Sequence, residues 1–401
     1  MRVAYVCMDP GVPIWGNKGC SIHVQEITRS FLRRGAEVEF FVVSTGGTPP
    51  AEFADTRVTM CHLDASKKGA DRELQLVECA QRMTNLLLES GPFDLVYERY
   101  SLWSSVGMDF ARQSHIPSVL EVNAPLLEEQ ARYRELFNRE LAYLISNRAF
   151  VNADVISCVS NEVLKHIVEN FQICNTKLLV NPNGVDVTRF TPLQISRDVD
   201  AFRVGFVGSL KPWHGVEYLL DAFGLVLREY RNAKLVIVGD GPERAKLSDR
   251  FLHSHAYSED CVEWLGSLSP EQVIHQLNTL DVAVAPYPDL SNFYFSPLKV
   301  YEYMACGLPV IASRVGQLRS IITHRIDGFL CKPACAWSLA RQISWLAEHP
   351  NIRRQIGVRA RQKAENEFSW DQVLERALAA VSSTTDISEL DILDLPAKVR
   401  F

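Results

Sequence analysis

Short runs of β-branched and apolar residues alternate with amphipathic stretches along nearly the whole chain, and no other feature restricts its fold so tightly. In the first half the strand candidates are Val3–Met8, Val38–Ser44, Asp94–Glu98, Ser118–Val122, Val155–Val159 and Lys177–Val180. In the second half they are Arg203–Val207, Lys234–Val238, Cys261–Leu265, Asp281–Ala285, Pro309–Ala312 and Gly328–Cys331. Continuous apolar runs suit strands covered on both faces, hence parallel sheets flanked by helices. The series restarts near Phe202 much as it begins at Arg2. The fold class this predicts is α/β, with two doubly wound Rossmann-like domains facing across a cleft. Asn181-Pro182-Asn183-Gly184-Val185-Asp186 through Asp198 has turn composition and marks the seam. The expected domains are residues 1–190, residues 191–370, and a C-terminal helix with a tail at 371–401.

Helix boundaries follow from capping chemistry. Ser21 is placed to cap Ile22–Arg34, with Gly35 as its stop, and a helix is expected over Val216–Tyr230. One helix is expected around Leu126–Val151 and another begins at Phe368-Ser369-Trp370, while Ser382–Phe401 reads as a tail. The 401 residues are enough for two or three domains. Forty-two Lys and Arg against 48 Asp and Glu give a net charge of −6, which argues against bulk affinity for nucleic acid. No apolar run approaches the roughly 18 residues that span a bilayer, and the strand-like start lacks the features of a signal peptide. The ten cysteines are scattered through apolar segments, and Cys331 and Cys335 lack partners at zinc spacing. They read as buried thiols of a cytoplasmic protein.

The segment Phe293-Tyr294-Phe295-Ser296-Pro297-Leu298-Lys299-Val300-Tyr301-Glu302 carries the densest chemistry. Ser296 suits an N-cap, Pro297 the first helical position and Gly307 the stop. Such a helix opens at the ligand edge of the sheet, where free N–H groups and the dipole attract phosphate. Lys299 adds positive charge there, and Glu302, three residues on, offers a carboxylate to two sugar hydroxyls. A capped helix with a surface Lys299–Glu302 pair is the plainer reading, worth about 0.2–0.5 kcal/mol.

Glu302-Tyr303-Met304-Ala305-Cys306-Gly307-Leu308-Pro309-Val310 resembles the signature of the family-4 glycosyltransferases of the GT-B fold, whose motif is a Glu, seven residues and a second Glu. The first Glu's position is held by Tyr294, and the Ser296-Pro297-Leu298-Lys299 variant is similar to a subgroup of that family. The resemblance assigns Glu302 to the nucleotide ribose and position 294 to the neighbourhood of the donor sugar. Gly205 through Gly215 resembles the family's phosphate loop, with Gly208 at the close approach. Where the family carries Arg and Lys, this chain has Ser209 and His214; Lys211 and Lys299 are the candidates to restore the charge. Asn181–Asp186 is similar to the family's interdomain element. Gly239-Asp240-Gly241-Pro242 and Trp264-Leu265-Gly266 resemble loops near the nucleotide, Leu265 passing close to the base.

The resemblance also implies an acceptor on the N-terminal half. The loop Gly11–Gly19 is expected close to donor phosphate and acceptor, with Gly19 among the contacts, while His23 reads as a core or capping residue. Glu121 and Asn123, closing a strand, are the proposed acceptor contacts. The arginines around Leu126–Val151 are nearly balanced by acids, which favours a solvated helix over a weak peripheral contact with anionic lipid.

The resulting expectation is transfer of a sugar from a nucleoside-diphosphate sugar to an acceptor hydroxyl with retention of configuration. The nucleotide sugar is a substrate, so no cofactor is expected; the resemblance implies no metal, and no Asp-x-Asp pair is placed as a clamp. A GT-B protein that binds nucleotide or a partner without turnover, and a sugar-nucleotide epimerase, stay open as alternatives.

Overall fold

In the computed structural model, which describes residues 1–171, 173–195, 201–254, 259–290 and 292–393, the two strand series form two separate parallel sheets. Met1–Asn183 and the segment from Trp370 make one unit, and Gly184–Ser369 make the other.

The first unit runs β1 (Arg2–Cys7), α1 (Gly19–Arg33), β2 (Glu37–Val42), β3 (Arg57–Met60), α2 (Gly69–Ser90), β4 (Leu95–Arg99), α3 (Val106–Ser114) and β5 (Ser118–Val122). It continues with α4 (Leu126–Tyr133), α5 (Arg139–Asn152), β6 (Val155–Cys158), α6 (Asn161–Asn170) and β7 (Leu178–Val180). Its strand order, β3-β2-β1-β4-β5-β6-β7, reverses direction between β1 and β4. Ligands of such sheets lie beyond the carboxyl ends of the strands at that reversal.

The second unit runs β8 (Arg203–Val207), α7 (Val216–Val226), β9 (Lys234–Val238), α8 (Arg244–Ser254), β10 (Val262–Gly266), α9 (Pro270–Thr279) and β11 (Val282–Ala285). Then come α10 (Leu298–Ala305), β12 (Val310–Ser313), α11 (Leu318–Ile321), β13 (Phe329–Cys331), α12 (Ala336–Glu348) and α13 (Pro350–Glu367). The order β10-β9-β8-β11-β12-β13 places the reversal between β8 and β11. Side chains alternate between two cores, as the period of two requires. Val236, Ala283 and Val310 pack with Tyr301 and Met304 of α10 on one face. Leu235, Val282 and Ile311 pack with Leu219, Leu247 and Leu339 on the other.

Last comes α14 (Trp370–Leu393), which returns to the first unit and packs on α1, β5 and β6. Trp370 lies edge-on to His23 with ring centroids 4.8 Å apart, and Arg33 pairs with Asp371 at 2.7 Å. Asn181 is locked to the same helix: its Nδ2 donates to the Val373 carbonyl at 3.0 Å, and its Oδ1 accepts from Arg376 at 2.9 Å.

Several local expectations are corrected. The edge strand β3 has no counterpart among the expected strands. Helix α1 begins at Gly19 with Lys18 as N-cap, and Ser21 lies buried inside it rather than capping it. Helix α7 ends at Val226, short of Tyr230. The single helix over Leu126–Val151 is two, because Glu73 of α2 accepts the amides of Phe137 and Asn138 at 3.0 and 2.8 Å and holds the chain out of helical form between α4 and α5. The tail expected from Ser382 is helical to Leu393; residues 394–401 lie outside the described residues, as do 196–200 of the seam. Cys61 and Cys79 are joined as a disulfide, their Cα atoms 6.2 Å apart, so the reading of every cysteine as a thiol fails for this pair.

Candidate functional site

The end of β8 organises the ligand edge of the second unit. β8 pairs with β9 as far as Val207, but with β11 only at Val204 and Gly205. Beyond that point the Tyr303 hydroxyl of α10 takes the place of a strand. It accepts from the Val207 N–H at 2.7 Å and donates to the Val207 carbonyl at 3.2 Å. Gly208 follows with φ at +150°, a backbone that L side chains rarely adopt, and donates its N–H to Val238 at 2.9 Å. A Cβ on Gly208 would collide with Nζ of Lys299, so any side chain here would push the lysine's end aside.

Lys299 is the second residue of α10 and only 9% exposed. Its ammonium lies 4.2 Å from the ring centroid of Phe206 and 5.6 Å from that of Tyr287, and has no hydrogen-bond partner among the described residues. Burial pushes it down to about 7, with Glu302 one turn on pulling partly the other way. Cation–π contact compensates only part of such a desolvation. α10 starts at Leu298 with Pro297 as N-cap and no side-chain cap bond, and the first amides of a helix have no acceptor within the helix itself.

The loops after β8 and β9 and the start of α10 hold most of the expected donor residues. His214 closes a 3-10 turn, Pro212–His214, and its Nδ1 bonds the Ser209 carbonyl. Burial, then the charges of Lys299 and Lys211, lower the imidazole to about 3, so it is neutral at ordinary pH. Lys211 precedes that turn, half-buried, with its ammonium 5.8 Å from the exposed Trp213 ring. Gly241 packs against the backbone of Leu210, which donates to the Asp240 carbonyl at 2.9 Å, so the loops after β8 and β9 are knit together. Leu265 is half-buried on the α10 face of β10, and the Tyr294 ring leans on Phe295 at 4.4 Å. Ser296 is no cap: Pro297 takes the N-cap position, and the Ser296 hydroxyl bonds that of Tyr301 at 2.9 Å.

The first unit buries a different cluster at its own carboxyl edge. Glu121, at β5, accepts from His23 at 2.7 Å, Tyr97 at 2.6 Å and Arg99 at 3.0 Å, and from the Asn123 amide. Burial alone would raise its carboxyl, but His23, Arg99 and Tyr97 together hold it at about 2. Both oxygens of Glu121 are engaged internally, and Asn123, half-buried, stays nearer the surface. Gly19 opens α1. Among the described residues no group of His, Cys, Asp and Glu side chains could hold a metal ion, and no helix is long and apolar enough to cross a membrane.

Two family models match the chain in succession: glycosyltransferase family 4 over residues 17–189, and glycosyl transferases group 1 over residues 201–349. The chain belongs to the family-4 glycosyltransferases. This glycosyltransferase is 25% identical over 392 residues to the D-inositol 3-phosphate glycosyltransferase of Pseudarthrobacter chlorophenolicus, covering 92% of this chain and 91% of that one. Among solved structures, sucrose-phosphate synthase from Thermosynechococcus elongatus superposes with a TM-score of 0.71 at 18% identity, over 96% of this chain and 99% of that one. HepE from Anabaena, solved with UDP and glucose, gives 0.69 at 19% identity, over 96% and 100%. These likenesses give the glycosyltransferase its fold, GT-B, with two Rossmann-like domains.

Sequence reasoning assigned no role to three residues of these clusters. Phe206 and Tyr287 look like ordinary core aromatics and become the walls around Lys299 only through the β8–β11 pairing. Arg99 ends β4, and its role appears only when β5 brings Glu121 alongside it.

Proposed function

We propose that this glycosyltransferase takes a nucleoside-diphosphate sugar on its second unit and transfers the sugar to an acceptor hydroxyl with retention of configuration. The observation that carries the reading is the buried Lys299 ammonium with no hydrogen-bond partner among the described residues, set beside Gly208 and the start of α10 at the strand reversal. An arrangement of that kind is complementary to a diphosphate. Glu302 takes the ribose hydroxyls, Gly241 and Leu265 lie along the nucleoside, and Lys211 adds charge at the outer side. A neutral His214 and an uncharged Ser209 leave Lys299 as the principal cation. The UDP bound by HepE makes UDP-sugars the first donors to test.

In the reaction the bond between the anomeric carbon and the diphosphate oxygen breaks, and the acceptor oxygen bonds that carbon on the same face. The departing phosphate oxygen takes the acceptor proton, so no side-chain base is needed. Negative charge grows on the leaving group, and Lys299 with the helix amides stabilises it; electrostatic terms of this type dominate many such reactions. No metal is invoked. The acceptor is assigned to the first unit, where Asn123 and the start of α1 at Gly19 present polar groups and Glu121 positions them.

Calorimetric titration with UDP, GDP, ADP and CDP tests the site. One of them should bind, and Glu302→Ala should weaken it strongly. Unchanged affinity in that variant would remove the ribose assignment, and failure of all four would remove the donor site.

A further inference from the structure

Three half-buried cations of the second unit come with a counter-charge. Lys363 holds Asp327 at 3.0 Å, Arg203 holds Glu263 at 2.9 Å, and Arg353 holds Asp281 at 3.0 Å. Lys299 instead faces two aromatic rings and a glycine. We propose that binding of the nucleoside diphosphate loads a proton onto Lys299, the side chain being stored against Phe206 and Tyr287 until the diphosphate arrives and then held there as an ammonium. The inference rests on the donor site proposed above and names the proton as its second ligand.

The groups facing Lys299 decide the sign. From the β8 loop come Lys211, a like charge, and His214, neutral and also depressed by Lys299. From the segment after β11 comes Tyr287, whose hydroxyl burial pushes up, so it stays uncharged. From α10 comes Glu302, whose carboxylate favours the ammonium without offsetting burial. β8 itself contributes only the Phe206 ring. The amine therefore sits near about 7 before the ligand binds. A diphosphate brings several negative charges and hydrogen-bond acceptors, both of which favour the charged form. Binding then takes one proton from solvent and converts the amine to the ammonium. Affinity must fall as pH rises above the ligand-free value, by the linkage that ties protons to any equilibrium.

The experiment is titration of the full chain with the tightest-binding diphosphate of the panel, in buffers of different ionisation enthalpy. Uptake should approach about one proton per nucleotide near pH 8, and Kd should rise on the order of tenfold between about pH 7 and pH 8.5. The terminal phosphate has by then already ionised, its last pKa lying near 6. Lys299→Arg, permanently charged, and Lys299→Met, never charged, should both lose the proton uptake. Nucleotide binding without proton uptake and with flat affinity would overturn the inference and leave the donor site standing. Uptake that persists undiminished in Lys299→Met would assign the proton to another group and overturn it too. Absence of nucleotide binding at every pH would instead overturn the donor site, and the inference with it.

Discussion

Each unit buries a charge at the carboxyl ends of its central strands, and the two treat it in opposite ways. Glu121 in the first unit is met by four donors, which hold its carboxyl at about 2 despite burial. Lys299 in the second is met by aromatic rings, and burial brings its ammonium down to about 7. Similar sheets thus carry one charge that is complete within the fold and one that has no hydrogen-bond partner among the described residues, the one proposed to meet the donor. A perturbed proton affinity is informative only with its cause: partners mark a structural charge, desolvation without partners marks a working one.

The largest effect should come from Glu121→Ala. It leaves Arg99 and His23 buried without their shared acceptor, and breaking a buried pair in this way costs about 3–5 kcal/mol. Chemical denaturation should show that loss, while nucleotide affinity of the folded fraction stays unchanged; a fully stable variant would end the contrast. Lys299→Met should do the reverse. Removing an unpaired buried charge leaves the denaturation midpoint level or higher, while nucleotide binding weakens roughly 10–100-fold, as expected when a charged hydrogen bond is lost. Gly208→Ala comes next. Its φ of +150° and the collision with Lys299 imply strain of about 1–3 kcal/mol, read as a lower midpoint together with weaker nucleotide binding.

The subtlest effects are pH profiles of stability. Glu121 titrates lower in the fold than its ordinary 4.5, so its contribution is present above about pH 4.5 and is lost as pH falls toward about 2. Lys299 also titrates low, at about 7 against an ordinary 10.5, but it is a base. Between those values the unfolded chain holds the extra proton, so wild-type stability should climb with pH relative to Lys299→Met. Denaturation of each variant across pH separates the two windows. Parallel profiles for wild type and variant would show that the residue does not titrate as described.

Much of the fold is legible in the order of the residues alone. The apolar runs around Ser118–Val122, Arg203–Val207 and Lys234–Val238 match β5, β8 and β9 residue for residue, because central strands of a parallel sheet are apolar on both faces. β3 escapes for the complementary reason. It is a four-residue edge strand, partly exposed, and Arg57-Val58-Thr59-Met60 shows no apolar run. Local rules fail where a distant partner intervenes, as with Glu73 parting α4 from α5. At the candidate site, helix-start chemistry singles out Lys299 and Glu302, and the family resemblance adds Gly208. The aromatic walls around Lys299 are not legible in this way, since Phe206 and Tyr287 lie far from it in sequence. Nor is the saturation of Glu121, which depends on His23 at a separation of 98 residues.

The returning helix α14 makes the first unit a structure assembled from both ends of the polypeptide. A ribosome that has finished Asn183 must still add about 190 residues before Trp370 emerges, roughly 10–40 s at ordinary elongation rates. Through that interval the His23 ring and the outer face of α1 wait uncovered, while the intervening unit, continuous in sequence, has everything it needs to close. The half that is made first is therefore the last to be completed, and clipping the chain just before Trp370 would injure the amino-terminal half rather than its neighbour in sequence.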